Sequence, residues 1–383
     1  MTAADRQVIS SEQSAAVRQA VSPERSAAAS PCHPERSTAA SPCHPERSAE
    51  GAESRDPARR QQQTSQDRKR FWRGVLCALV GGGLWGFSGA CAQFLFAHYD
   101  IAPATITSVR MIGAGVLFMA VLLAKRRAGL VEMLGDRRTV GRLVVFGAGG
   151  LFLCQFTYIV TIGYTNAGTA TVLQSTAIVF VMLFTCLFAR KLPRARELAG
   201  LVLAAAATWL IATQGDPAAL SLPAAGLAWG LANGLSCAFY IMYPRRLFAQ
   251  YGSFAVTGVG MMVGGIASLA VSVPAGVPQG LDATAYLMLA LIAVVGTFAA
   301  FGLYLHGVAL VGSVKGSLLG AIEPVSATAF SALWLGTAFS GADWTGFALM
   351  IAMIFLVTGE KPQPSAEEAH NSEQVGQTNE GRA

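Results

Sequence analysis

Between residues 74 and 358 the chain alternates apolar runs of about 17–24 residues with short polar breaks. A helix rises ~1.5 Å per residue and a bilayer's hydrocarbon core is about 30 Å thick, so runs of this length can cross it. Backbone amides in lipid must be satisfied within the protein, which limits spanning structures to α-helices and closed barrels. Runs this long and continuous predict helices, and the chain is expected to be an all-α membrane protein. Ten spans are predicted, at approximately 74–97, 103–124, 142–163, 168–189, 198–214, 223–243, 254–275, 285–307, 315–336 and 342–358. Because every break is short, neighbouring helices should form antiparallel hairpins.

The net charge of +6 is placed as topology and not as a nucleic-acid stripe. The break after the second run holds Lys125, Arg126, Arg127, Arg137, Arg138 and Arg142, and that after the fourth holds Arg190, Lys191, Arg194 and Arg196. Arg245 and Arg246 follow the sixth run and Lys315 the eighth, while Arg68, Lys69, Arg70 and Arg73 precede the first. The alternate breaks carry His98, Asp100, Asp216, Asp282 and Asp343, with no Lys or Arg. Cytoplasmic loops carry the excess of Lys and Arg, so both termini are expected in the cytoplasm and the protein in the cell membrane.

Residues 1–70 and 360–383 lack a hydrophobic period and read as disordered tails. Pro-Glu-Arg-Ser recurs at 23–26, 34–37 and 45–48, with Cys32-His33 and Cys43-His44 before two copies. Two such pairs do not make a closed metal site, and no apolar segment before residue 74 resembles a secretory signal. The other cysteines, at 77, 91, 154, 186 and 237, fall within apolar runs and read as small core residues. No metal or other cofactor is expected.

A shift of 146 residues places Gly150 on Gly296, Tyr158 on Tyr304, Leu173 on Leu319, Phe184 on Phe330 and Gly200 on Gly346. At 144, Trp85-Gly86 falls on Trp229-Gly230. Each half then holds five helices, an odd number, so the halves must lie in opposite orientations. Inverted repeats are a recurrent plan of secondary transporters, whose site lies near the midplane where the halves meet.

Two ionisable residues lie deep in predicted spans. Glu323, followed by Pro324, sits about 12 Å from the Lys315 end of the ninth run, and Arg110 about 12 Å from the outer end of the second. A charge at such depth costs roughly 2.5–3.5 kcal/mol on the insertion scale and usually faces a cavity or a partner. Pro324 should also free a backbone carbonyl one turn earlier. The other candidates for a substrate cavity are Trp85, Gln155, Tyr158, Gln174, Trp229, Asn233, Tyr240 and Tyr304, with Gln93 beside them. Polar side chains in spans also join helices without binding anything. Tyr158 with Tyr304, and Trp85 with Trp229, stand out because the repeat makes them equivalent.

Gly82-Gly83-Leu84-Trp85-Gly86-Phe87, the stretch from Ala104 to Arg110, Leu319-Gly320-Ala321-Ile322-Glu323-Pro324-Val325, and Gly200 with Gly346 together resemble motifs of the EamA-like transporters of the drug/metabolite transporter superfamily. The resemblance covers about residues 72–359 and implies two five-helix repeats, at 71–215 and 222–359. The chain departs from the family at Thr176-Ala177-Ile178, where a proline motif is usual, and lacks the acid often found at the ends of helices four and nine.

Together these readings predict a secondary transporter of a small metabolite or drug, amino-acid-like compounds favoured, working by alternating access and in the export direction the family implies. Protons are the expected coupling ion, through Glu323, with Arg110 meeting an anionic group of the substrate. The absence of Walker, His-Glu-x-x-His and Gly-x-Ser-x-Gly patterns argues against ATP hydrolysis and hydrolase chemistry. A ligand-binding membrane sensor or scaffold is the alternative, and an intramembrane enzyme a more distant one.

Overall fold

The computed structural model describes residues 57–190, 192, 195–216 and 221–358. Residues 1–56 of the tail expected at 1–70, with the Pro-Glu-Arg-Ser repeats, Cys32 and Cys43, and the tail expected at 360–383 lie outside the described residues.

Among the described residues all regular structure is helical. Eight helices are long and apolar enough to cross a membrane: α1 (Arg68–His98), α2 (Pro103–Lys125), α3 (Arg137–Tyr164), α4 (Ala167–Phe188), α5 (Ala195–Thr213), α6 (Ala224–Tyr251), α7 (Ser253–Ser272) and α8 (Ala283–Val311). Two shorter apolar helices, α9 (Leu318–Leu333) and α10 (Gly341–Leu356), complete a set consistent with ten spans. The expected all-α membrane fold is therefore borne out. Helix also extends back from α1 to Pro57, through a polar stretch read from the sequence as disordered, and a short helix, Arg127–Gly135, stands between α2 and α3.

Local chemistry fixes the ends. Pro103 occupies the first turn of α2, where its missing N–H costs nothing. Asn166 Oδ1 caps α4 by accepting from the Thr169 amide at 2.8 Å, and Asp282 Oδ1 caps α8 through the Ala285 amide at 2.9 Å. Gly312, at φ +88°, makes the left-handed turn from α8 into the segment leading to α9.

Five helices depart from regularity, α6 among them at Tyr243 and Pro244. Hydrogen bonding widens in α3 at Val145–Phe152 and in α8 at Val294–Ala299, π-type turns that recur at functional sites. α4 is interrupted at Ser175 and Thr176, and the ninth span at Ala321. The expected continuous span 315–336 is therefore two pieces, Ser313–Gly320 and Ile322–Leu333. Pro324 falls in the first turn of the second piece, where proline is tolerated, and not in a helix interior.

α2 packs along α7, α3 along α6, α4 against α9, and α5 along α10. α1 meets α8 through glycines: a Cβ on Gly81 would lie 2.7 Å from the Ala300 carbonyl, and one on Gly307 2.7 Å from the Gly74 carbonyl. One apolar cluster joins Met111 and Phe118 of α2 to Phe146, Met261 and Phe301. A second joins Ala92 and Leu95 of α1 to Ile106, Ile159 and Leu289. The breaks of α4 and α9 lie among these packed helices.

Candidate functional site

The interrupted segments of α4 and α9 lie side by side. Gln174 ends the first piece of α4, and Glu323 lies in the first turn of the second piece of α9. Gln174 Nε2 donates to Glu323 Oε1 at 3.4 Å, longer than the ~2.7–2.9 Å of a strong charge-assisted bond. A carboxylate in a first turn is also favoured by the positive end of the helix dipole, which offsets part of its cost in a span. Glu323 as a residue is half-buried.

Arg110 is 2% exposed. Its Nε donates to Thr297 Oγ1 at 3.3 Å, and Nη1 has no hydrogen-bond partner. The widened turn of α8 prepares that acceptor: Thr297 Oγ1 donates to the Ile292 carbonyl, five residues back, at 2.8 Å, which orients the hydroxyl. Glu323 accepts its hydrogen bond from Gln174 and Arg110 donates its own to Thr297, yet the two act on each other electrostatically. Tyr158, Tyr240 and Tyr304 also lie within electrostatic reach of the Glu323 carboxylate.

The two tyrosines that the 146-residue shift pairs each bond to the helix that follows. Tyr158 OH shares a hydrogen bond with Thr171 Oγ1 at 3.0 Å, and Tyr304 OH donates to the Gly316 carbonyl at 3.0 Å. Each ties its helix to the first piece of the interrupted helix that follows. Trp85 lies against Tyr304 and Phe301, with ring centroids 4.7 and 4.8 Å away, and its indole N–H has no partner. Gly86 permits this: a Cβ there would strike Ser326 Oγ and approach the Glu323 carbonyl to 2.8 Å, so α1 rests directly on the Glu323 helix.

Gln155 is buried with Nε2 unpaired. Asn233, fully buried, donates from Nδ2 to the Cys154 carbonyl at 2.7 Å and to Thr157 Oγ1 at 3.0 Å, which joins α6 to α3. Tyr240 stacks on Phe146 at 5.9 Å and packs on the small cluster of Cys154, Ala177 and Cys237. Trp229 meets Phe156 edge-on at 6.1 Å, a packing contact on α3 that is separate from the Trp85–Tyr304 pair.

Gln93 closes one end of the bundle. Its Nε2 donates to Thr337 Oγ1 at 2.8 Å, and its Oε1 accepts from the Ala167 amide at 2.9 Å and from Ser331 Oγ at 3.0 Å. Phe87 stacks with Trp334 at 5.9 Å and Phe94 with Trp334 at 5.7 Å above it.

Three residues at the site were not singled out as functional from sequence. Thr297 is one hydroxyl in an apolar run, and only the unpaired depth of Arg110 hinted that an acceptor was needed nearby. The thiols of Cys154 and Cys237, read as core residues, do pack in the core and are free, but they also border the polar site.

A profile described as the EamA-like transporter family matches the chain twice, at residues 72–213 and 224–359. The chain is 32% identical over 286 residues to YicL of Salmonella typhimurium, named an uncharacterized inner membrane transporter; the match covers 75% of this chain and 95% of YicL. It is 23% identical over 305 residues to YwfM of Bacillus subtilis, named an uncharacterized transporter, covering 78% and 98%. A solved crystal structure, 20% identical, aligns over 74% of this chain and 96% of its own with a TM-score of 0.52, a likeness of fold.

Proposed function

The chain belongs to the EamA-like transporter family, and from that premise we propose that it moves a small amphoteric metabolite or drug, with amino-acid-like compounds favoured, by alternating access and in the export direction. One observation carries this reading. Arg110 Nη1, Gln155 Nε2 and Trp85 Nε1 are buried donors with no partner in the protein, while Glu323 holds one long hydrogen bond. About 90% or more of buried polar groups are normally paired, and leaving one unpaired costs about 1–3 kcal/mol. Unspent donors together with one acid suit a ligand that brings its own acceptors and a cation. Arg110 would take the substrate's anionic group, and Glu323 its ammonium or a coupling proton.

The mechanism we infer rests on two inverted five-helix repeats, at 71–215 and 222–359. The double match of one family profile supports them. So does the pairing of helices, in which α2, α4 and α5 meet α7, α9 and α10 while α1 and α3 meet α8 and α6. Interrupted helices at the meeting of two halves are the usual place for substrate in such folds. On this reading both termini lie in the cytoplasm, as the basic loops ask, and the membrane is the inner one, as in the name of the Salmonella relative.

Flux of labelled amino acids and cationic drugs through the purified protein in proteoliposomes tests the proposal. Net movement down an imposed gradient, absent from empty liposomes, is the expected result. Saturable binding without flux would replace transport by a ligand-binding sensor.

A further inference from the structure

We propose that the groove between α2 and α7 holds one bilayer phospholipid with an ammonium headgroup, a site separate from the Glu323 centre. Two contiguous cavities share Thr105, Gly276, Val277 and Pro278. The larger, of about 560 Å³, runs between the helices past Val109, Ile112 and Leu269 and is almost wholly apolar. From Thr105 to Gly113 it follows α2 for eight residues, or ~12 Å. Its walls are open sideways: Val109 is 36% and Val273 71% exposed, the surface a bilayer would cover. The smaller cavity, of about 290 Å³, sits at the loop end and is lined by Asp100 and Gln279.

This order of chambers has the polarity of a lipid, with an apolar slot along the helices and a polar cup at their end. Thr105 marks the seam, because it lines both chambers. Charge selects the headgroup. Asp100 lines the cup, Asp282 lies in the loop beyond it, and the stretches 98–102 and 273–282 contain no Lys or Arg. An ammonium-bearing head is therefore favoured over a net-anionic one.

The test needs no flux, so its outcome is independent of the transport reading. The full-length protein is placed in nanodiscs of equal phosphatidylethanolamine and phosphatidylglycerol and then released in mild detergent. Retained lipid is counted by native mass spectrometry. Retained ethanolamine lipid should exceed glycerol lipid by about fivefold, the effect of one exposed charge pair. Asp100→Asn should return the ratio to that of the disc, and Val109→Trp should remove both lipids. Retention in the disc's own ratio by the parent, an unchanged preference in Asp100→Asn, or a lipid-free dimer through this face would each overturn the proposal. Asp100 is exposed, so its variant keeps the test decisive if the groove-filling one does not fold.

Discussion

Gln174 on α4 and Glu323 on α9 meet at 3.4 Å where both helices are interrupted. At the 146-residue shift Glu323 corresponds to Ala177 and Pro324 to Ile178, so the acid and the proline have no counterparts in the first half. Gln174 supplies from that half an amide in place of a charge. The polar site is thus lopsided, with one carboxylate on the second half facing neutral donors and Arg110 on the first.

Arg110→Met should separate function from stability. A buried charge with one hydrogen bond and a free Nη1 is poorly compensated where it stands, so an apolar side chain of similar length removes its desolvation cost. We expect the melting temperature to hold or rise while flux of substrates bearing an anionic group falls at least about tenfold, a loss of ~1.4 kcal/mol of binding. Thermal melting and flux on the same preparation check this.

Gly86→Ala should wedge α1 from α9. The added Cβ meets the Ala327 amide at 2.5 Å and the Glu323 carbonyl at 2.8 Å, backbone atoms that cannot turn aside. Overpacking of this kind costs about 1–3 kcal/mol, to be read as a lower melting temperature with reduced flux. Gly129→Ala, with open space around it, is the control.

Gln93→Leu should loosen the end of the bundle where Thr337, Ser331 and Ala167 converge on one amide. Losing a hydrogen bond worth about 0.5–1.5 kcal/mol should speed exchange of the Ala167 amide by about two- to tenfold. Hydrogen-exchange mass spectrometry resolves that change, and protection at the Asn233-anchored junction of α6 and α3 should not alter.

The bond from Tyr99 OH to Asp282 Oδ1, at 2.6 Å, predicts a pH window. It is the largest cause holding the Asp282 carboxyl below its usual range, and also the largest raising the Tyr99 phenol. A depressed carboxyl stabilises the fold above its unfolded value, about 3.9, and loses that effect as pH falls through the folded value. A raised phenol stabilises below about 10 and loses the effect as pH rises through its folded value. Tyr99→Phe should therefore melt earlier than the parent at neutral pH, and the gap should close on acidification below about pH 4. Melting curves between neutral and acid pH check this.

The spans were legible because the apolar runs are uninterrupted: 103–124 became Pro103–Lys125, ended by the proline that suits a first turn. The helix from Pro57 to Lys69 was not, since Arg, Gln and Ser there show no apolar period to mark it. The break in α4 left a faint trace, as the Ser175 and Thr176 hydroxyls donate to the Thr171 and Leu173 carbonyls and so compete with the helix. Pro324 pointed one turn back to the carbonyl of Gly320, where the first piece of the ninth span ends, although the span was still expected to be continuous. Among the site residues, depth in a span found Arg110 and Glu323. Arg110 finds its partner Thr297 across the contact between α2 and α8, which no local pattern records.

Of the two roles proposed for Glu323, we infer that it exchanges a proton in the transport cycle. Uptake into proteoliposomes across a range of pH, with Glu323→Gln beside the parent, tests it most directly. The account predicts that the parent's flux rises with an imposed proton gradient, while the variant keeps residual flux that no longer responds to pH. An equal pH response in both proteins would contradict it.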